Sequence, residues 1–148
     1  MLTGDHPATA QAIARRVGIG ASPVVVGREL DNATESEIQE KVGTTSVFAR
    51  ITPEHKLRVV RALQSSGEVV AVTGDGVNDA PALREASIGV AMGRSGTDVA
   101  REAADLVLAD DNLATLTMAV RAGRLLYENL HKAVRYYLAA KVGLIGSA

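Results

Sequence analysis

Residues 69–83 have the sequence VVAVTGDGVNDAPAL. The stretch joins an uninterrupted apolar run, residues 69–72, to a glycine-rich turn and to a helix that carries Pro81. Such a run is typical of a strand that is buried on both faces. The tripeptide TGD at positions 73–75 also occurs at positions 3–5. The two copies are therefore either an internal repeat or two corners of one site.

Strand-like and helix-like segments alternate along most of the chain. Short apolar or β-branched runs predict strands at residues 24–26, 46–49, 69–72, 88–92 and 106–109. Helical patterns and capping residues predict helices that begin near Pro7, Thr34, Pro53 and Thr97 and end near Gly18, Gly43, Gly67 and Ala104. This alternation predicts an α/β fold with a mainly parallel sheet.

The composition excludes several classes of function. The 148 residues have a formal net charge of −1, so no overall field attracts nucleic acid, and without cysteine no disulfide forms. The first ten residues lack the basic and apolar regions of a signal peptide. Residues 133–148 come closest to a membrane span, but Arg135 and Lys141 interrupt them, so we expect no complete transmembrane helix.

A long amphipathic helix is predicted near the C-terminus. One face has apolar residues and one glycine at steps of three and four: Leu116, Val120, Gly123, Tyr127, Leu130, Val134 and Tyr137. Another face carries Arg121, Arg124, Glu128, Lys132 and Arg135. Two interpretations stay open. The helix either packs on the sheet with a solvated outer face, or it is a basic helix that approaches a membrane from the cytoplasmic side.

The two TGD copies do not belong to a duplicated unit. A helix rich in alanine and arginine follows the first copy and GVNDAP follows the second, whereas a true repeat keeps its apolar frame. Each copy instead follows an apolar run and precedes a helix. In a parallel sheet such corners lie at the carboxyl edge, where ligands bind, so we expect both copies to face one pocket.

The residues at the second corner suit phosphate and a divalent cation. Gly74 and Gly76 allow the backbone to approach a ligand closely, and a helix N-terminus at this point favours an anion. Asp75 and Asp79 supply the hard oxygen ligands that Mg²⁺ prefers.

Other side chains can reach the same edge, and each has a structural alternative. Thr3 can bind phosphate oxygens through its hydroxyl and N–H, and Lys56 lies on the first turn of a predicted helix. Alternatively, Asp5, Asn78 or Asp79 caps a helix and Lys56 is simply solvated. The three histidines have no metal-ligand spacing and are assigned no role.

Taken together, these motifs resemble those of P-type cation-transporting ATPases, and of calcium or proton pumps more than of heavy-metal pumps. TGDGVNDAPAL at 73–83 is the most specific match; the others are MLTGD (1–5), VFARITPEHK (47–56), IGVAMGRSGTDVAREAADLVL (88–108) and GRLLYENLHKAVRYYLA (123–139). The resemblance implies a partial phosphorylation domain over residues 1–112. Residues 113–148 then correspond to the stalk that leads into the fifth membrane helix.

The resemblance also implies a haloacid-dehalogenase-like (Rossmannoid) fold and a reaction in which an Asp attacks the γ-phosphate of ATP. The resemblance implies that Thr3, Gly4 and Asp5 contact phosphate or nucleotide, that Arg50 contacts the nucleotide and that Asn78 binds phosphate. It also implies that Lys56 neutralises the transferring phosphoryl group and that Asp75 binds Mg²⁺. Asp79 would support both the metal and Lys56. The implied partners are ATP, a transported cation and the remainder of a membrane-bound pump, with this segment on the cytoplasmic side.

The chain departs from the family pattern in one respect. The family's phosphorylated Asp lies in a DKTGT motif, and the 148 residues contain neither this motif nor an Asp-x-Asp pair. We therefore expect the isolated chain to be inactive. In the family, the strand that carries the nucleophile lies between those that end at Asp5 and at Asp75. Without it the sheet is truncated, and the unpaired edge at residues 69–72 favours self-association or marginal stability. The alternative is a non-catalytic module that binds Mg²⁺ and phosphate or docks on a membrane.

Overall fold

A computed structural model describes residues 1–20 and 23–146 and divides the chain into two compact units. The first unit is Met1–Asp111, and the second begins at Asn112. The strands are β1 (Val24–Val26), β2 (Val47–Ala49), β3 (Ala71–Gly74), β4 (Ile88–Met92) and β5 (Leu106–Leu108). The helices are α1 (Pro7–Arg16), α2 (Arg28–Asp31), α3 (Glu35–Thr44), α4 (Pro53–Ser65), α5 (Ala80–Glu85), α6 (Asp98–Ala103) and α7 (Leu113–Gly146), with a 3₁₀ turn at Val77–Asp79.

Polar side chains set the starts of the helices. At α3, the hydroxyl of Thr34 accepts the N–H of Glu37 (3.3 Å), and the Glu37 carboxylate accepts the N–H of Thr34 (2.7 Å), which confirms the predicted capping box. At α4, Thr52 accepts the N–H of His55 (3.3 Å), and the ring Nδ1 of His55 accepts the N–H of Thr52 (3.2 Å). Each such cap stabilises its helix by about 1 kcal/mol.

The strands form two separate parallel sheets. β1 pairs with β2 in one sheet, and Leu2 extends it by a parallel bridge to Phe48. The other sheet has the order β3-β4-β5, with Ala71 opposite Ile88 and Val90 opposite Leu106. All the described pairings are parallel, as the alternation of strands and helices predicted.

The predicted burial of the strand at residues 69–72 is wrong. β3 begins two residues later than predicted, and Val69, which precedes it, is 81% exposed. Ala71 and Thr73 are also exposed, and Val72 is half-buried against the side of the sheet that packs on α5 and α6. β3 is an edge strand whose one neighbouring strand is β4, and only one of its two faces is covered.

Three clusters of buried side chains fill the first unit. One joins α2, α3 and α4 to β1 and β2, and includes Leu30, Ile38, Phe48 and Val59. The second lies between α1 and these strands and includes Ala10, Ala14 and Val47. The third packs α5 and α6 on β4 through Leu83, Ala91 and Ala100.

In the second unit, α7 presents its apolar stripe to the outside. Val120, Tyr127, Leu130, Val134 and Tyr137 are all exposed, with Tyr127 at 64%. The structure therefore does not bury the predicted stripe. No helix within the described residues is long and apolar enough to cross a membrane.

Candidate functional site

A cleft of about 290 Å³ lies where several strands of the first unit end. Leu2 pairs with β2 and leads into Thr3 and Gly4, while β3 leads into Asp75, and all of these residues line the cleft. The remaining lining residues are Lys56, Thr73, Gly74, Asp79 and Met92. The two TGD copies are therefore two corners of one cleft.

Lys56 and Asp79 form the charged centre of this cleft. The Lys56 ammonium donates to the Asp79 carboxylate at 2.5 Å, and the two side chains are only 20% and 14% exposed. Lys56 is held in place by α4, whose start is fixed by the Thr52 cap. The other Asp79 oxygen accepts the N–H of Gly76 at 3.4 Å. Although Asp79 occupies the N-cap position of α5, its carboxylate does not cap that helix.

Gly74 is required by the close approach of Asp79. A Cβ atom at position 74 would lie 2.5 Å from the Asp79 Cβ and 2.9 Å from its Cγ, far inside the van der Waals limit. The glycine therefore allows the end of β3 and the following 3₁₀ turn to pack against each other. The sequence predicted that Gly74 lets a ligand approach, and the structure adds that it lets Asp79 approach.

The first TGD corner is ordered by its own side chains. The Thr3 hydroxyl donates to the Asp5 carboxylate at 2.9 Å and accepts the Asp5 N–H at 3.1 Å. Asp5 is exposed, and its carbonyl accepts the N–H of Arg50 at 3.1 Å. Asp5 does not cap α1: the N-cap is His6, whose ring Nδ1 accepts the N–H of Ala8 at 3.3 Å.

Three of the predicted site residues lie outside the cleft lining. Asp5 points its carboxylate at Thr3, as described, and Asn78 is exposed on the 3₁₀ turn. Arg50 has a backbone φ of +54° and lines a second depression of about 400 Å³ with Arg28 and His6. The structure thus brings together Thr3, Gly4, Lys56, Asp75 and Asp79 and leaves the other three at the margin.

A buried histidine was missed by the sequence analysis. His55 is 7% exposed, and its Nε2 lies 2.9 Å from the Asp31 carboxylate of α2. Since Nδ1 accepts the Thr52 N–H, Nε2 carries the proton and donates to Asp31. The same ring lies 3.1 Å from the position of a Cβ at Gly27. His55 therefore fixes the start of α4, one residue before Lys56.

A loop at residues 93–97 bonds to the backbone of Asp75 from outside the cleft lining. The N–H of Thr97 donates to the Asp75 carbonyl at 2.8 Å. Asp111 holds the same loop, because its carboxylate accepts the N–H groups of Arg94 (2.9 Å) and Ser95 (2.8 Å). Neither the loop nor Asp111 was singled out from the sequence.

The contact between Asp111 and the loop has a defined pH dependence. The backbone N–H of Arg94, followed by groups of Ser95 and Gly93, lowers the pKa of Asp111 from 3.8 to about 2. Because the folded-state pKa lies below the unfolded value, the contact contributes fully above about pH 4 and is lost as the pH falls through about 2. We expect the Arg94 and Ser95 amide signals in ¹⁵N NMR to move in that window. A transition centred near pH 4 would contradict this assignment.

The donor set of the cleft fits a magnesium ion that is shared with a phosphate. Within the described residues no group of three or more histidines, cysteines and carboxylates could hold a metal by itself. The cleft does contain two carboxylates, Asp75, which is exposed, and Asp79, which is paired with Lys56. Magnesium is usually bound by one or two carboxylates, with water and substrate phosphates completing its coordination.

A sequence model of the haloacid dehalogenase-like hydrolases matches residues 1–87. The chain belongs to this family. Lys56 and Asp79 fall within the matched part, which ends just before β4. The expected haloacid-dehalogenase-like fold, with parallel strands and a long C-terminal helix, is thereby confirmed.

Within the haloacid dehalogenase-like family, the chain is similar to P-type cation-transporting ATPases. It is 50% identical over 147 residues to the calcium-transporting ATPase of Bacillus subtilis, and the matched region covers 98% of this chain and 16% of the relative. It is 54% identical to the probable cation-transporting ATPase F of Mycobacterium tuberculosis, over 97% of this chain and 16% of the relative. The resemblance seen in the motifs is therefore confirmed.

A solved structure agrees with these relatives. The crystal structure of a zinc-transporting PIB-type ATPase in its E2.Pi state matches 88% of this chain and 17% of its own, with a TM-score of 0.66 and 35% identity. The chain thus spans about a sixth of the length of the relatives it matches.

Proposed function

We propose that this chain supplies the Mg²⁺- and phosphate-binding part of an ATP-driven cation pump that works through an aspartyl-phosphate. The observation that carries the proposal is the convergence of Thr3, Lys56, Asp75 and Asp79 on one cleft at the carboxyl ends of two parallel segments. Phosphoryl transfer depends mainly on positioning and on neutralisation of charge, and this cleft offers a cation, two carboxylates and backbone N–H groups for these tasks.

Each side chain of the cleft has a task in this proposal. Lys56 neutralises the transferring phosphoryl group, and Asp79 holds the Lys56 ammonium in position through the 2.5 Å contact. Asp75 holds the magnesium ion with support from Asp79, and the ion would draw charge from the phosphate oxygens when it is bound. Thr3 and Gly4 contact phosphate from the opposite corner, and Asn78 hydrogen-bonds phosphate from the 3₁₀ turn.

The attacking carboxylate is absent from these 148 residues, which contain no DKTGT motif. We propose that it belongs to a strand between the Leu2 segment and β3. The Leu2 segment and β3 both run toward the cleft, so the last residue of a parallel strand placed between them would enter the cleft beside Lys56. On this proposal the chain binds ligand but performs no turnover alone.

We assign the nucleotide contacts and the membrane contacts to different parts of the chain. Arg50 and Asp5 adjoin the cleft on the Thr3 side, and we propose that they contact the nucleotide. The exposed apolar stripe of α7 and its basic residues fit a stalk that leads toward a membrane from the cytoplasmic side. The alternative, a non-catalytic module that docks on the membrane, rests on the same exposed stripe.

Mg²⁺ titration of the purified chain tests the proposal. We expect Mg²⁺, with and without inorganic phosphate, to shift the amide signals of residues 73–79 and to raise the melting temperature. Asp75→Asn removes a charged ligand and should weaken Mg²⁺ binding at least about tenfold. Glu68→Gln is the matched control, because Glu68 is an exposed carboxylate at the other end of β3. An equal response of the two variants, or none in the wild type, would contradict the proposal.

A further inference from the structure

The loop at residues 93–97 is held from two sides. Asp111 accepts two of its N–H groups, and Arg101 of α6 donates to the carbonyls of Gly93 (3.1 Å) and Gly96. A carboxylate therefore accepts two N–H groups of the loop, and a guanidinium donates to two of its carbonyls. Two charged residues on different elements hold a five-residue segment whose own side chains are mostly exposed.

The loop also packs closely against the backbone of β4 and β5 at two glycines. A Cβ at Gly96 would lie 2.1 Å from the Met92 carbonyl oxygen, and one at Gly93 would lie 2.7 Å from the Leu108 carbonyl oxygen. The N–H of Gly93 donates to the same Leu108 carbonyl at 2.9 Å. These close approaches restrict the loop at Gly93 and Gly96, and Asp111 holds the two residues between them.

The far end of the loop contacts a residue that lines the cleft. The Thr97 N–H donates to the Asp75 carbonyl at 2.8 Å, so the last residue of the loop fixes the backbone of the residue after β3. Asp111 itself lies at the end of a tight turn, with φ at +55° and its N–H donating to the Leu108 carbonyl at 3.1 Å. Asp111 is therefore linked to Asp75 by hydrogen bonds at both ends of the segment 94–97 and by the covalent backbone between them.

We propose that Asp111 is a positioning residue for Asp75, acting through the 93–97 loop and the bond from Thr97. The inference rests on the proposed function, because it assigns to Asp111 the orientation of the magnesium-binding carboxylate. Residues that orient a metal ligand from outside the coordination sphere commonly change metal affinity about 10- to 100-fold when they are replaced. Asp111 does not line the cleft, so the proposed effect on Asp75 passes through the loop.

The sheet contains a matched control for this role. Asp105 accepts the Gly89 N–H at 2.8 Å through its carboxylate, and its own N–H donates to the Gly89 carbonyl at 2.9 Å. Asp105 thus joins β4 to the residues just before β5, whereas Asp111, which follows β5, bonds to the loop after β4. It lies at the amino end of these strands, away from the cleft, so Asp105→Asn should affect stability without an effect on Asp75.

The experiment compares Asp111→Asn and Asp105→Asn in the whole chain. Mg²⁺ alone is titrated into each variant below its melting temperature, and the exchange rate of the Thr97 amide is measured by hydrogen–deuterium exchange. We expect Asp111→Asn to weaken Mg²⁺ binding about tenfold and to speed exchange at Thr97, whereas Asp105→Asn changes neither. Asp111→Gly, which suits the positive φ and lacks the carboxylate, should behave like Asp111→Asn.

The outcomes separate the inference from the function on which it rests. If the wild type binds Mg²⁺ and both Asp111 variants bind it as Asp105→Asn does, the positioning role is overturned while the proposed function stands. If Asp75→Asn and the wild type are alike in showing no binding, both fall. Weaker Mg²⁺ binding together with faster Thr97 exchange in the Asp111 variants alone supports the role.

Discussion

We expect Gly74→Ala to disrupt the cleft more than the addition of one methyl group at any other position in it. The new Cβ would lie 2.5 Å from the Asp79 Cβ, so either β3 or the 3₁₀ turn must move and the Lys56–Asp79 pair must break. Overpacking of this kind and the loss of a largely buried ion pair together cost about 2–4 kcal/mol in the free energy of unfolding. We expect Mg²⁺ affinity to fall at least about tenfold as well, because Asp79 leaves its position.

Gly76→Ala is the matched control for this prediction. The nearest atom to a Cβ at position 76 is the Asp79 Oδ2 at 3.8 Å, an ordinary contact, and the backbone φ of −105° suits any residue. Alanine there should be neutral or stabilise the fold by up to about 1 kcal/mol, since it restricts the unfolded chain. Urea denaturation and Mg²⁺ titration of both variants decide the matter. Equal free energies of unfolding for the two would show that Asp79 is not packed against Gly74.

Local sequence signals predicted the elements and corners of this fold well. The Thr34 capping box, the start of α4 at Pro53 and the span of β4 follow from residues within a few positions of each other. The meeting of the two TGD corners followed from a topological rule, that parallel strands present their carboxyl ends to one edge. Such predictions succeed because the information is carried by neighbours along the chain or by the handedness of the fold.

What the sequence did not predict depends on contacts between distant segments. The run at residues 69–72 looks the same whether it has one neighbouring strand or two, so its pattern predicted burial, and only the resemblance to the pumps predicted an open edge. The burial of His55 requires Asp31, and the order of the loop at residues 93–97 requires Asp111. Single polar residues of this kind carry no periodic pattern, and their partners become visible only when the chain is folded.

We expect the isolated chain to associate through the groove between its two sheets. The groove has a volume of about 540 Å³ and is lined by Leu2, Phe48, Val60, Leu63, Val70 and Ala71, among others. Its walls are the open edge of β3 and the Leu2 segment, both of which run toward the cleft. An open apolar edge pairs with another strand when one is available, and in a solution of this chain alone that strand belongs to a second copy.

This association should make thermal stability depend on protein concentration. For two 148-residue chains that melt together, a tenfold increase in concentration adds about 1.4 kcal/mol and raises the melting temperature by about 2 °C. We expect analytical ultracentrifugation to detect the dimer of the wild-type chain. Ala71→Lys places a charge on the exposed face of β3 and should abolish both this dimer and the concentration dependence.

Val107→Lys is the control for a charge on an exposed edge. Val107 is 46% exposed on β5, at the other edge of the same sheet and outside the groove. If the groove is the contact, this variant keeps the concentration dependence of the wild type, because the new charge does not face the second copy. The prediction is contradicted if the wild-type chain sediments as a monomer and melts cooperatively at one temperature across a hundredfold range of concentration. The open edge of β3 would then stay exposed to solvent without association.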